Sequence, residues 1–293
     1  MAGSTADRAG GVQPDVTQIP PSEAGAPPPE FDGRGKQRRA RLARAGLYVV
    51  FLLAVLAIAL TVDWARVTAN FFQPSIAVEM FPEVLLQAAR NTIIFTFFAF
   101  SGGLVLGLTL ALMRLSTIRL YRVFATGYIE TFRGLPALLT IMIVGFGIPI
   151  AIGQGLPGTY TPGAVGLGLV AAAYMAETIR AGIEAVPRGQ IEAARTLGMG
   201  QQRAMASIVI PQAFRIIIPP LTNELVLLIK DTSLLFVLGT TAATEELVKF
   251  GRDFAFNSAN STPFIVVGLV YLAITLPMTR LVALLERRTK RAR

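Results

Sequence analysis

Asn91–Met113 reads NTIIFTFFAFSGGLVLGLTLALM, 23 residues without one charged side chain. As a helix rising about 1.5 Å per residue, it is long enough to cross a hydrocarbon layer of about 30 Å. Its apolar residues do not alternate as a barrel strand requires, and lipid offers the backbone no outside hydrogen-bond partner, so the segment must be a helix. Five further segments are candidates on the same grounds: Gly46–Val62, Leu135–Ile152, Gly163–Ile183, Ile216–Leu238 and Pro263–Leu285. For Gly46–Val62, 17 residues without a charge, the rival reading is a signal peptide, since Ala57-Ile58-Ala59 looks like a cleavage site. The 45 residues ahead of it far exceed a signal's charged head, which favours a retained helix. The expected fold class is therefore all-α, with six transmembrane helices.

Composition agrees. Of 293 residues, 53% are hydrophobic and 15% charged, where a soluble domain carries about a quarter charged residues. Cys and His are absent, which excludes disulfide frameworks, thiolate zinc sites, Ser-His or Cys-His catalysis and covalent haem attachment. The net charge of +9 is explained by its distribution. Segments Arg34–Arg44, Arg114–Arg133, Arg180–Arg215 and Arg287–Arg293 hold 20 basic residues, whereas the alternating segments 63–90, 151–162 and 239–262 hold 4. By the positive-inside rule, this split and the even number of spans place both termini in the cytoplasm. The basic C-terminal stretch is then an orientation signal, and no nucleic-acid partner is expected.

The expected organisation follows. Residues 1–45 form a tail, first rich in Pro and Gly and expected to be disordered, then basic. An N-terminal transmembrane helix covers 46–62, and 286–293 form a second basic tail. Within the second span, Gly103 and Gly107 stand at helical spacing and would let a neighbouring helix approach closely.

The longest connection on the basic side, 184–212, is too polar to span a membrane and too apolar for a free loop. Ile191, Ala194 and Leu197 or Gly198 recur at helical spacing, with Glu192 and Arg195 on the flank. Gly198 breaks this helix; Met205, Ile208 and Val209 form a second apolar face, and Pro211 is expected to close it. Two short helices about a glycine need a covering surface, either a partner protein or the membrane interface.

The fifth span carries Asn223, Glu224, Lys230, Asp231, Thr232 and Ser233. Three charges facing lipid would cost on the order of 8–10 kcal/mol, so they face protein or water. At 100° per residue Asn223 and Lys230 share one line, and Glu224 and Asp231 the next. The sector either lines a translocation pathway or forms fixed ion pairs between helices. Pro219-Pro220 near its start fits a hinge or a packing kink.

Taken together, several stretches resemble the polar amino-acid branch of the inner-membrane permeases of ABC importers. They are Glu130-Thr131-Phe132-Arg133-Gly134-Leu135-Pro136, Tyr174 to Gly182, Glu192-Ala193-Ala194 with Gly198, Pro211-Gln212-Ala213, Pro219 to Asn223, and Lys230-Asp231-Thr232-Ser233-Leu234. The resemblance covers 87–285 and implies a type-1 transmembrane domain with a family-like core of five helices, to which 46–62 is an addition. It implies that 184–212 is the EAA loop, which docks on a separate cytoplasmic ATPase, with Glu192, Ala193, Ala194, Arg195, Gly198 and Pro211 as coupling residues. It implies a bacterial plasma (inner) membrane location, a second permease in a homo- or heterodimer, and an extracytoplasmic solute-binding protein. ATP and Mg are expected on the partner ATPase; the chain has no phosphate-cradling Gly-x-x-x-x-Gly-Lys-Ser/Thr loop, and no cofactor is expected on it. The alternative is an ion-coupled secondary transporter of small polar solutes, a class that commonly shows internal repeats; none is evident between 46–150 and 163–285. A membrane enzyme lacks its catalytic residues.

Overall fold

The computed structural model describes residues 33–239 and 241–291. The expected disorder of the first residues falls outside this range, apart from 33–35. The chain divides after Val62 into two units. The described part of the first is one helix, α1 (Gly33–Thr61), which carries the basic cluster and the first apolar segment in a single run. No residue of Arg41–Thr61 is buried.

The regular structure of the second unit's described residues is all helical, without a strand. Two short helices, α2 (Trp64–Phe71) and α3 (Pro74–Glu79), lead through a π-helical turn at Val84–Ala89 into α4 (Arg90–Leu115). Then come α5 (Arg119–Gly134), α6 (Ala137–Met142) and α7 (Ile148–Ile152), followed by the long α8 (Thr161–Glu184). The connection that follows holds α9 (Arg188–Thr196) and α10 (Gln201–Ala204), and α10 continues through a π-helical stretch into α11 (Ile210–Asp231). A 3-10 turn at Thr232–Leu238, α12 (Leu247–Ser258) and α13 (Thr262–Arg291) complete the unit.

Among the described residues five helical stretches are long and apolar enough to cross a membrane: Arg41–Thr61, Val84–Leu115, Thr161–Glu184, Gln201–Leu238 and Thr262–Arg287. The expected third span differs. Ala137–Ile152 is one arm of a bent pair with Arg119–Gly134, at 107°, and makes a sixth span if the pair is counted as one. Pro136 explains the bend: it has no N–H to donate, and it drives the preceding residue out of the helical region. Leu135 accordingly sits at φ −86°, ψ 142°. Pro211 departs from expectation too. It does not close a helix: the chain stays helical from α10 through the π-helical stretch Met205–Val209 into α11, and Pro211 follows that wider turn.

The centre of the unit is the pair α4–α8. Gly103 faces Gly168 and Ala171, and Gly107 faces Ala172, Met175 and Ala176, so the expected close approach occurs between these two helices. Around the pair lie two apolar clusters. One joins Phe95, Ile141, Leu167, Met175 and Leu235; the other joins Leu110, Ile129, Ile179, Val209 and Ile217 beneath the α9–α10 connection.

Candidate functional site

A cavity of about 280 Å³ lies between α8, α11 and the α5–α6 bend, the size for a small metabolite. On α8 Leu167, Val170, Ala171 and Tyr174 line it, spaced so that they share one helical face. From α11 come Glu224, Leu227, Leu228 and Asp231 at the same spacing, and Leu135 and Ala137 close the side at the bend. The two helices run antiparallel: Gly182 abuts Ile217, and Gly163 abuts Leu235. Glu224 is therefore level with Tyr174, and Asp231 with Leu167, about 10 Å further along the axis. The lining contains these two carboxylates and no Lys or Arg.

Of the polar residues singled out in this span, the cavity thus brings together Glu224 and Asp231. Asn223 and Lys230 are exposed on the neighbouring stripe. Thr232 is buried, donating to the Ile229 carbonyl at 2.6 Å with the Tyr271 hydroxyl 3.4 Å away, and Ser233 is half-buried outside the lining. Tyr174 and Leu135 were not legible as cavity residues, because each lies on a different element and only the bend brings them together.

At one end of the unit, α9 and α10 make the compact turn expected around Gly198. Its φ of +83° is a conformation that glycine adopts without steric penalty. Gly198 N–H donates to the Arg195 carbonyl at 3.0 Å and Met199 N–H to the Ala194 carbonyl at 3.0 Å, closing α9 with a Schellman motif. Ala194 is buried, while Glu192, Ala193, Arg195, Gly198 and Pro211 are exposed. Of the two alternatives for the third apolar position, Leu197 is 84% exposed at the tip and Gly198 is exposed too, so neither extends the buried face. Gln212 hydrogen-bonds Gln190, tying α9 to α11, and Ile191 packs on the apolar cluster below.

Between this turn and the cavity lies an ion cluster. Glu177 accepts from Arg114 and Arg180, and Arg180 also pairs with Glu184, which links α4 to α8. The Arg133 guanidinium carbon lies 5.6 Å from the Tyr174 ring centroid.

A polar network at the opposite end escaped the sequence. Asn91 Nδ2 donates to the carbonyls of Ala243 and Glu245 at 3.0 Å, while its Oδ1 accepts from the Tyr160 hydroxyl at 2.7 Å. Fully buried Glu246 caps α12, accepting from the backbone N–H of Val248 at 2.6 Å and of Lys249 at 2.7 Å, and from the Tyr271 hydroxyl at 3.3 Å. Burial pushes the Glu246 carboxyl up to about 7, against the pull of these donors. Neighbouring Glu245 is also raised, mainly by burial.

Long apolar helices packed through small residues are the architecture of a multi-pass membrane protein. A family model described as binding-protein-dependent transport system inner membrane component matches residues 103–291. The probable glutamine ABC transporter permease protein GlnM of Bacillus subtilis (strain 168) is 35% identical over 202 residues, covering 69% of this chain and 91% of the relative. The arginine transport system permease protein ArgU of Corynebacterium glutamicum is 33% identical and covers 89% of this chain, a share that reaches into the residues before Asp63. The crystal structure of an amino acid ABC transporter with histidines contains a chain 34% identical to this one, with a TM-score of 0.66, covering 72% of this chain and 96% of that one. A MetNI methionine ABC transporter in an inward-facing conformation shares the fold, with a TM-score of 0.60 at 19% identity. The chain belongs to the family of binding-protein-dependent transport system inner membrane components. It is a permease subunit of an ABC importer rather than an enzyme, which removes the ion-coupled alternative.

Proposed function

We propose that this permease carries a polar amino acid handed over by an extracytoplasmic solute-binding protein, and that a separate cytoplasmic ATPase drives it. The cavity between α8 and α11 carries this reading. Two carboxylates in an otherwise apolar lining call for a solute bearing positive charge, and the ammonium group of an amino acid supplies it; the relatives named for arginine and glutamine support the class. Glu224 and Asp231, about 10 Å apart along α11, give the solute its charged contacts, and Asn223, Lys230, Thr232 and Ser233 border the pathway.

The other end of the unit is the coupling end. Glu192 and Arg195 make polar contacts with the ATPase, Ala193 permits close approach, and Ala194 seats α9 on the permease. Gly198 holds the turn, and Pro211, in the first turn of α11, lies on the path by which movement of the turn reaches Glu224. ATP and Mg bind the partner, and two permease chains, identical or sister, enclose the pathway. Counting α1 and the bent pair as spans, the even number puts both termini on one side, and the basic connections favour the cytoplasm for them and for the 184–212 loop.

Gly198→Pro tests the coupling. Proline cannot adopt a φ of +83° and has no N–H for Arg195, so the Schellman turn is lost. In proteoliposomes holding the whole complex, uptake should fall to background while the ATPase keeps its basal hydrolysis. Uptake at the unmodified rate would remove the coupling role from this turn.

A further inference from the structure

The ion cluster next to the cavity does not balance. Arg114, Arg133 and Arg180 gather around Glu177, with Glu184 as the second carboxylate. Arg114 and Arg180 take both carboxylates in ion pairs, and among the described residues no carboxylate lies within pairing distance of Arg133. Glu130, one turn earlier on α5, is exposed and does not pair with it. Among the described residues Arg133 instead lies by the Tyr174 ring, its guanidinium carbon 5.6 Å from the centroid. A ring face attracts the cation without accepting its planar fork of N–H donors.

This guanidinium is not itself in the cavity lining but lies against a residue that is. Tyr174 lines the space, and so does Leu135, two residues after Arg133. The 107° bend after α5 holds the last turn of that helix beside the cavity instead of continuing past it. Arg133 is exposed and Tyr174 is 42% exposed, so neither is sealed away from a solute. Glu224 is level with Tyr174 on the facing helix. One end of the cavity thus carries a carboxylate on one wall and an uncommitted guanidinium by the other, while Asp231 occupies the far end.

We propose that Arg133 is a substrate-binding residue, the anchor for the α-carboxylate of the transported amino acid while Glu224 takes its α-ammonium. A zwitterion carries the two charges on one carbon, and this end of the cavity offers the opposite charges in the matching order. The guanidinium fork suits a carboxylate, which it can bind through two parallel N–H···O bonds. The assignment rests on the cavity being the substrate pathway.

The test is direct binding to the assembled permease–ATPase complex in nanodiscs, without solute-binding protein or nucleotide. Radiolabelled L-arginine, L-histidine and L-glutamine are the probes, each competed by the unlabelled acid and by its α-carboxamide. The unmodified complex should prefer the free acid. Arg133→Gln should weaken the acid by about ten-fold, the loss of a charge-assisted contact, and leave the amide within about two-fold, while Arg133→Lys should recover part of the preference. Equal weakening of acid and amide would make Arg133 a packing residue only, and an unchanged preference would remove it from the site; either overturns the proposal. Binding that is absent, or indifferent to both Glu224→Gln and Asp231→Asn, would overturn the cavity reading itself and this proposal with it.

Discussion

A Cβ added to Gly107 would lie 2.9 Å from the Ala172 carbonyl oxygen and 3.0 Å from Met175 Cβ, closer than packed atoms tolerate. One added to Gly102, five residues earlier on the same helix, meets nothing within 4 Å. The two positions separate helix propensity from packing. Gly102→Ala should be neutral or slightly stabilising, because alanine is the better helix former by about 0.5–1 kcal/mol. Gly107→Ala has the same propensity gain but must push α4 from α8, and overpacking of this kind costs about 1–3 kcal/mol. Thermal unfolding of the detergent-solubilised permease should show a lower midpoint for Gly107→Ala alone; equal midpoints would mean that the α4–α8 contact yields without penalty. Gly198 is a glycine for another reason. Nothing lies within 4 Å of its added Cβ, and the constraint there is the positive φ.

Glu246 shows how one side chain organises several helices. It starts α12 by accepting two backbone N–H groups, and it reaches α13 through the Tyr271 hydroxyl. Beside it Thr92 of α4 accepts from Leu247 N–H at 3.2 Å. The ionisable groups around it are Glu245, Tyr271 and, on α12, Lys249, which pairs with Asp253. Because burial lifts this carboxyl from 4.5 to about 7, folding favours its protonated form. The associated stability is fully present below about pH 4.5 and is lost as the pH rises through about 7. The unfolding midpoint should therefore fall between pH 5 and 8, and Glu246→Gln, which keeps an acceptor oxygen without the titration, should flatten that dependence. An identical slope in the variant would place the responsible group elsewhere. Little of this was legible beforehand. Helix starts are read from Ser, Thr, Asp or Asn, so a glutamate cap gave no signal, and the partners Thr92 and Tyr271 are far away in sequence. The Glu224–Asp231 stripe was legible because seven residues make two helical turns. The third wall of the cavity was not, since it depends on the direction the chain takes after Pro136.

The orientation proposed for the whole chain rests on one physical asymmetry, the 20 basic residues on one set of connections against 4 on the other. The apolar runs reveal how many helices can span, but only the charges say which end faces the cytoplasm. The helical unit supplies the two ends to be distinguished: the Gly198 turn with exposed Leu197 at one, α12 with exposed Asn257 at the other. Since the natural sequence contains no Cys, single cysteines report without background. Ser4→Cys, Gln201→Cys and Asn257→Cys would each be treated with a membrane-impermeant maleimide, in spheroplasts and again after lysis. Asn257→Cys should react in both, whereas Ser4→Cys and Gln201→Cys should react only after lysis. The N-terminal variant isolates the contribution of α1. If Ser4→Cys reacted in spheroplasts while Gln201→Cys stayed protected, α1 would not cross the membrane, although the core orientation would stand. Labelling of Gln201→Cys from outside would invert the core and leave the Gly198 turn out of reach of any cytoplasmic ATPase.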